Sequence, residues 1–219
     1  MAAENNNPEW GFGTKAVHAG QRPDPVTGAV TVPVYQTSTY QQDAVGKDRG
    51  YEYSRTGNPT RSALEISVAS LEGANFGRAF ASGMAAEDTI LRLLEPGDHV
   101  IMGNDAYGGT FRLISKVLTR FGISYSSTNL SDPEEVQAAF TDKTKMVWAE
   151  TPTNPLLSVV DIGLLATLSH DKNALLVVDN TFATPYLQKP LLFGADIVIH
   201  SATKYLGGHS DVVGGFVAT

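Results

Sequence analysis

Ala195-Asp196-Ile197-Val198-Ile199-His200-Ser201-Ala202-Thr203-Lys204-Tyr205-Leu206-Gly207-Gly208-His209 is the stretch on which the reading of this chain turns. Asp196 to His200 reads as a short buried strand, because Ile197, Val198 and Ile199 form a run of β-branched apolar side chains. Two hydroxyls, Ser201 and Thr203, then stand close to Lys204, and Gly207-Gly208 frees the backbone for a tight turn. A lysine at the end of a buried strand is unstable there unless it is neutralised, paired or used covalently. Desolvation favours the neutral amine, and the neutral amine is a nucleophile.

Upstream, Ala174-Leu175-Leu176-Val177-Val178-Asp179-Asn180 is a second continuous apolar run, closed by a carboxylate. Two such strands with Asp and Lys at their C-terminal ends suit an open parallel sheet, in which ligands bind beyond those ends. Taken singly, Asp179 reads equally as a polar strand terminus or a helix cap, and Lys204 as a surface charge. Taken together they suit pyridoxal phosphate. That cofactor needs a lysine for covalent attachment and an acid facing the pyridinium nitrogen.

Ser201-Ala202-Thr203-Lys204-Tyr205 followed by Gly207-Gly208-His209, with Val178-Asp179-Asn180-Thr181-Phe182 before it, resembles the Cys/Met-metabolism family of pyridoxal-phosphate enzymes. This group contains cystathionine γ-synthase, cystathionine γ-lyase and methionine γ-lyase. The resemblance runs from about Thr14 to Thr219, with several motifs in the family order. It implies an α/β fold, the mostly parallel large domain of a fold-type-I, aspartate-aminotransferase-like enzyme. It also implies pyridoxal 5′-phosphate as cofactor, Lys204 as its covalent anchor and Asp179 as its ring acid.

Other motifs carry the resemblance along the chain. Read by itself, Tyr51-Glu52-Tyr53-Ser54-Arg55-Thr56-Gly57-Asn58-Pro59-Thr60 is a tyrosine-rich loop with an arginine fork suited to phosphate. The family match implies that Tyr53 and Arg55 reach the cofactor phosphate of the adjacent subunit, with Tyr53 also near substrate. Active sites would then be shared, in a homotetramer built as a dimer of dimers. Ser82-Gly83-Met84-Ala85-Ala86 opens a helix, and free N–H groups at a helix N-terminus suit phosphate or merely a cap. By resemblance, Gly83 and Met84 donate backbone N–H bonds to that phosphate, with Ser201 and Thr203 completing the cradle. In Asn104-Asp105-Ala106-Tyr107-Gly108-Gly109-Thr110-Phe111-Arg112, Tyr107 is placed to lay its ring on a planar heterocycle or to pack as core. The resemblance makes Tyr107 the stacking and proton-handling residue, and Arg112 a residue that binds the acidic end of substrate in the γ-synthase branch. Methionine γ-lyases carry cysteine where this chain has Gly109, which counts against that activity. Glu150-Thr151-Pro152-Thr153-Asn154-Pro155 puts Asn154 near the cofactor's 3′ oxygen by the same resemblance; by itself it reads as a stiff turn.

Composition is consistent with this. The 219 residues include 16 basic and 23 acidic side chains, a net charge of −7 that argues against a nucleic-acid surface. No apolar run is long enough to span a bilayer, and the polar, acidic start is unlike a signal peptide. With 0 cysteines there is no disulfide, thiolate metal site or cysteine nucleophile. His18, His99, His170, His200 and His209 lack metal-ligand spacing, so no metal is expected. A cytoplasmic enzyme is the expectation. Family members are nearly twice as long, so a fragment lacking the C-terminal part is expected.

Residues 1–60 carry Pro23, Pro25 and Pro33 with Gly20 and Gly28, and read as an extended, helix-free N-terminal arm without its own core. Residues 61–219 read as the incomplete cofactor-binding domain. Helices are expected over 61–72, 82–94, 109–121, 133–140 and 162–170, and strands over 78–81, 99–102, 123–127, 145–150, 174–179, 196–200 and 211–219. This alternation implies right-handed crossovers and a mostly parallel sheet. The expected activity is γ-replacement of the acyloxy group of O-succinyl- or O-acetylhomoserine by cysteine, giving cystathionine. Cystathionine γ-lyase and then O-acylhomoserine sulfhydrylase are the alternatives. A non-catalytic fragment needing a full-length partner is the reading of a different class.

Overall fold

Strands that are apolar on both faces need cover on both faces, and the C-terminal part of the chain is built to supply it. A computed structural model describes Asn7 and residues 9–219. The chain divides into two compact units, one ending at Gly77 and one of Arg78–Thr219.

The first unit holds helices α1 (Phe12–His18) and α2 (Pro59–Glu72). Helix α1 corrects the expectation of a helix-free arm. The prolines and glycines that break helices begin only at Gly20, and the stretch before them is free to coil. Gly20 lies so close to α2 that a Cβ there would stand 2.3 Å from the Ala63 carbonyl oxygen. Helix α2 starts two residues earlier than expected, because Asn58 caps it by accepting the Thr60 N–H at 2.9 Å and Pro59 fits its first position. Between the helices the chain is irregular, with isolated bridges at Thr39–Tyr53 and Ala44–Lys47. Asp24 gathers one loop by accepting from the N–H groups of Val26 and Thr27 and the Thr27 hydroxyl. Residues 1–6 and 8 of the expected arm lie outside the described residues.

The second unit is organised by a seven-stranded sheet. In chain order its elements are β1 (Gly77–Phe80), α3 (Gly83–Leu91), β2 (His99–Gly103), α4 (Gly108–Arg112), β3 (Ser124–Thr128), α5 (Pro133–Ala139), β4 (Thr144–Glu150), α6 (Ile162–His170), β5 (Leu175–Asp179), α7 (Thr184–Leu187), β6 (Ile197–Ser201) and β7 (Gly215–Ala218). The strand order is β1-β7-β6-β5-β4-β2-β3. Strands β3, β2, β4, β5 and β6 run parallel, and β7 is antiparallel to β6. The alternation of side chains sorts the core into two layers. Val100, Met102, Met146, Trp148, Val177 and Ile199 face the α3 side, where Ile90, Ile114 and Leu118 pack. Ile101, Val147, Ala149, Leu176 and Val178 face the side covered by Val136 of α5 and Leu165 of α6.

Departures from the expected elements have local causes. Helix α3 ends at Leu91, because Leu93 and Leu94 donate to Ile90 and Leu91, tightening the turn ahead of Pro96. The helix expected over 109–121 runs as α4, then a π turn at Leu113–Val117 and a 3-10 turn at Leu118–Phe121. Its Ser115 and Thr119 hydroxyls bond the carbonyls of Phe111 and Ser115, a contact that loosens helices. Strand β7 is shorter than expected, and α7 is too brief for a periodicity to announce it.

The tightest approach in the sheet is at Gly215, where a Cβ would lie 2.0 Å from the Ser82 carbonyl oxygen. Gly215→Ala therefore forces β7 away from the turn into α3, and a loss of roughly 1–3 kcal/mol is expected from overpacking alone. Urea denaturation of the full-length protein checks this, and an unchanged midpoint would show that β7 yields freely.

Candidate functional site

Three adjacent parallel strands end side by side, β4 at Glu150, β5 at Asp179 and β6 at Ser201, with Glu150 paired to Asp179 and Asp179 to Ile199. Two bonds fasten the strand ends beyond the ladder. The Asn180 N–H donates to the Ile199 carbonyl at 3.0 Å, and the Ser201 N–H donates to Thr181 Oγ1 at 2.8 Å. Asp179 is buried, and its Oδ1 accepts the Thr181 N–H at 2.9 Å. Burial pushes its carboxyl above the usual range, opposed by the Thr181 bonds and by His200. Among the described residues no basic side chain forms an ion pair with it. A protonated ring nitrogen is the donor such a buried carboxylate lacks, and in this respect the site fits pyridoxal phosphate.

Lys204 follows in the turn after β6, held by its N–H to Ser201 at 3.1 Å and by the Gly208 N–H to its carbonyl at 2.8 Å. Its side chain is exposed. The expectation that burial forces this lysine to react is thereby corrected: the strand ends three residues before it, and the turn carries the amine out of the core. Its place at the same sheet edge as Asp179 is retained.

The anion-binding side also fits. Ser82 caps α3 by accepting the Ala85 N–H at 3.1 Å, leaving the N–H groups of Gly83 and Met84 without intrahelical acceptors. Gly83 abuts Ser201, and a Cβ at Gly83 would stand 2.9 Å from Ser201 Cβ. The Thr203 hydroxyl instead pairs with Gly214, donating to its carbonyl at 3.2 Å and accepting its N–H at 3.1 Å. Its one proton is therefore committed to the turn.

Tyr107 precedes α4, and its ring lies over Gly109, where a Cβ would come within 2.4 Å of Tyr107 Cε1 and 2.8 Å of Met84 Sδ. A cavity of about 250 Å³ is lined by Met84, Tyr107, Gly109, Arg112, Leu113 and Val117. Arg112 thus shares a cavity with the tyrosine. Asn154 stands in the loop after β4. Tyr53 and Arg55 belong to the first unit, where the Arg55 guanidinium lies 4.8 Å from the Tyr53 ring centroid.

Two functional candidates escaped the sequence reading. Glu150 accepts the Tyr107 N–H at 2.7 Å and the Asn154 N–H at 2.9 Å. Its signal in the sequence is a carboxylate closing an apolar strand. Burial first, then Asp179, push its carboxyl up to about 7, opposed by those two N–H groups. Glu87, on α3, accepts from the Thr110 hydroxyl at 2.8 Å, and burial pushes it up to about 8. Nothing in the sequence marks it, since a charge on a helix is ordinarily solvated. His99 proves structural, buried and bonded to Thr144 at 2.8 Å and Ser126 at 3.0 Å. Among the described residues no cluster has the makings of a metal site, and no helix is long and apolar enough to cross a membrane.

The raised carboxyl of Glu87 makes stability pH-dependent. Between the ordinary value of 4.5 and about 8 the folded protein keeps a proton that the unfolded chain releases, so stability falls as pH rises through that window. In Glu87→Gln the decline should shrink, narrowing the drop in melting temperature by roughly several degrees. Thermal melts across that pH range check this, and identical slopes in both proteins would contradict it.

The family described as "Cys/Met metabolism PLP-dependent enzyme" matches residues 13–219. A cystathionine γ-synthase of Mycobacterium bovis is 60% identical over 211 residues, 95% of this chain and 54% of that protein. A cystathionine β-lyase of Lactococcus lactis subsp. cremoris is 58% identical over 206 residues, 94% of this chain and 54% of its own. The crystal structure of cystathionine γ-lyase from Lactobacillus plantarum with L-serine has a TM-score of 0.93 at 52% identity, covering 96% of this chain and 55% of that one. The chain spans about half the length of the curated relatives it matches. The matched span takes in every strand of the sheet and both residues at its edge, Asp179 and Lys204, and on that ground the chain belongs to the Cys/Met-metabolism family of pyridoxal-phosphate-dependent enzymes.

Proposed function

We propose that the protein replaces the γ-acyloxy group of O-succinyl- or O-acetylhomoserine with cysteine, giving cystathionine. The observation that carries this reading is the cavity that Arg112, Tyr107 and Gly109 line together. An arginine there suits a substrate with a second acidic end, such as a succinyl ester. Gly109 leaves no room for the cysteine that methionine γ-lyases carry: with the Tyr107 ring where it lies, a side chain would overlap it.

When bound, pyridoxal phosphate supplies an electron sink for negative charge developing on the substrate. The residues of the chain divide the remaining work. Asp179 keeps the ring nitrogen protonated from its buried position, and Gly83, Met84 and Ser201 hold the phosphate. Thr203 shapes the turn and joins the cradle if its bond to Gly214 opens. Tyr107 would cover the ring face, and Asn154 would meet the 3′ oxygen. Lys204 would anchor the cofactor, and its exposed amine would move the protons at Cα and Cβ. The Cγ–O bond then breaks, its electron pair leaving with the acyl carboxylate. The sulfur of cysteine bonds to Cγ and the thiol proton is released. Tyr53 and Arg55 serve the phosphate of the neighbouring subunit in a homotetramer that works in the cytoplasm.

One observation favours a second reading, cleavage of cystathionine: the relatives above include lyases at nearly the same identity as the synthase. The two are separated by product. Full-length protein given O-succinylhomoserine and cysteine is expected to form cystathionine faster than it turns cystathionine into 2-oxobutyrate or pyruvate. Faster oxoacid release would establish the lyase instead.

The cradle is tested at Gly83. In Gly83→Ala the new methyl displaces Ser201, and pyridoxal phosphate should dissociate at least tenfold more readily, a change of about 1.4 kcal/mol. Titration of the cofactor absorbance measures this; unaltered affinity would remove the α3 N-terminus from the phosphate site.

A further inference from the structure

Strands β2 and β4 are neighbours, yet the chain leaves them in opposite directions. The helical segment after β2 packs into the core layer of Ile90 and Trp148, and α6 after β4 packs into the layer of Val147 and Leu176. A crevice opens where such connections part, at the C-terminal edge of the sheet. The backbone ladder between the two strands ends at Met102–Trp148, so beyond it the two loops have no ladder in common.

Glu150 closes that gap. Its Oε2 takes the Tyr107 N–H at 2.7 Å from the loop after β2, and its Oε1 takes the Asn154 N–H at 2.9 Å from the loop after β4. The side chain is buried, with the residue 8% exposed, so these bonds are shielded from competing water. A second tie lies beside it, from the Thr153 hydroxyl to Asp105 Oδ2 at 2.7 Å. The Tyr107 ring also lies against Gly109, where a Cβ would come within 2.4 Å of it. We infer that Glu150 is a positioning residue, whose single carboxylate braces the two loops so that Tyr107 and Asn154 meet the cofactor from fixed places.

The inference rests on the reading that Tyr107 and Asn154 face pyridoxal phosphate. The groups whose charge raises Glu150 are both acids: Asp179 at the end of β5 and Asp105 after β2. No cation among them neutralises it, and the two N–H donors are what favour its charged form. Only a carboxylate of this length offers two acceptor oxygens to two donors. Glutamine offers one oxygen and turns an NH₂ toward the other N–H, while aspartate is a methylene too short to reach both.

The test compares full-length, cofactor-loaded protein with its Glu150→Gln and Glu150→Asp variants, using Glu87→Gln as a buried-acid control. Hydrogen exchange resolved at the Tyr107 and Asn154 amides reads the brace directly, without turnover. In Glu150→Gln at least one of these amides should exchange about tenfold faster or more, with no such change in Glu87→Gln. The visible absorbance or circular dichroism of the bound cofactor should shift, and kcat should fall roughly tenfold to a hundredfold with KM altered less. Glu150→Asp should not restore the native exchange rates. Unchanged amide exchange in Glu150→Gln overturns the brace. Faster exchange with an unmoved cofactor spectrum and kcat overturns its positioning role. A failure of the functional reading appears elsewhere, in the unaltered protein, which would then show neither cofactor absorbance nor cystathionine formation.

Discussion

The pairing of β5 with its two parallel neighbours is the constraint on which the site depends. Asp179 stands beside Glu150 on one side and Ile199 on the other because Val177 and Val178 are buried from both faces and hold the register. A slip of one residue would turn Asp179 to the opposite face and exchange the two core layers. The same register fixes where β6 stops, and with it where the Lys204 turn begins. Function at this edge is thus inherited from core packing several residues away.

Acids dominate the buried part of that edge. Glu87, Glu150 and Asp179 are buried; Asp179 helps raise the carboxyls of both glutamates, and Glu150 helps raise that of Glu87. Such a group is unstable in a core unless donors are brought to it. The chain supplies N–H groups and a hydroxyl to all three, and an ion pair to none among the described residues. Of the three, only Asp179 has a cationic group opposing its shift, His200. A protonated ring nitrogen within reach of Asp179 would oppose that rise further, and a ligand bound to the folded state alone would add stability.

Much of this was legible in the sequence, for identifiable reasons. Strands such as Leu175–Asp179 and Ile197–Ser201 are apolar throughout, and only a sheet covered on both faces explains that pattern. Gly83 and Asn154 stand out in the sequence only because their motifs resemble those of a known family. The misses are equally physical. Helix α1 was hidden because breakers later in the segment were allowed to speak for residues before them. The exposure of Lys204 follows from a turn whose path no periodicity encodes. Glu87 and Glu150 needed coordinates, since what distinguishes them is the distance to Thr110, Tyr107 and Asn154, all far away in the chain.

Three acids of one chemical type are sorted into three tasks by the number and kind of their donors. Glu87 has a single hydroxyl and keeps its proton up to about 8, so at neutral pH it is a hydrogen-bonded filler between α3 and Thr110. Glu150 has two N–H groups, one from each side of a crevice, and is drawn toward charge despite its burial, with a value of about 7. Asp179 has the Thr181 N–H on one oxygen and lies at the strand end where a ligand can supply the rest. Identity of side chain therefore says little about role at this edge. The division follows from which strand each acid closes or which helix it rides on, and from which loops pass within reach, so the parallel sheet with its parting connections is the source of the chemistry as much as of the fold.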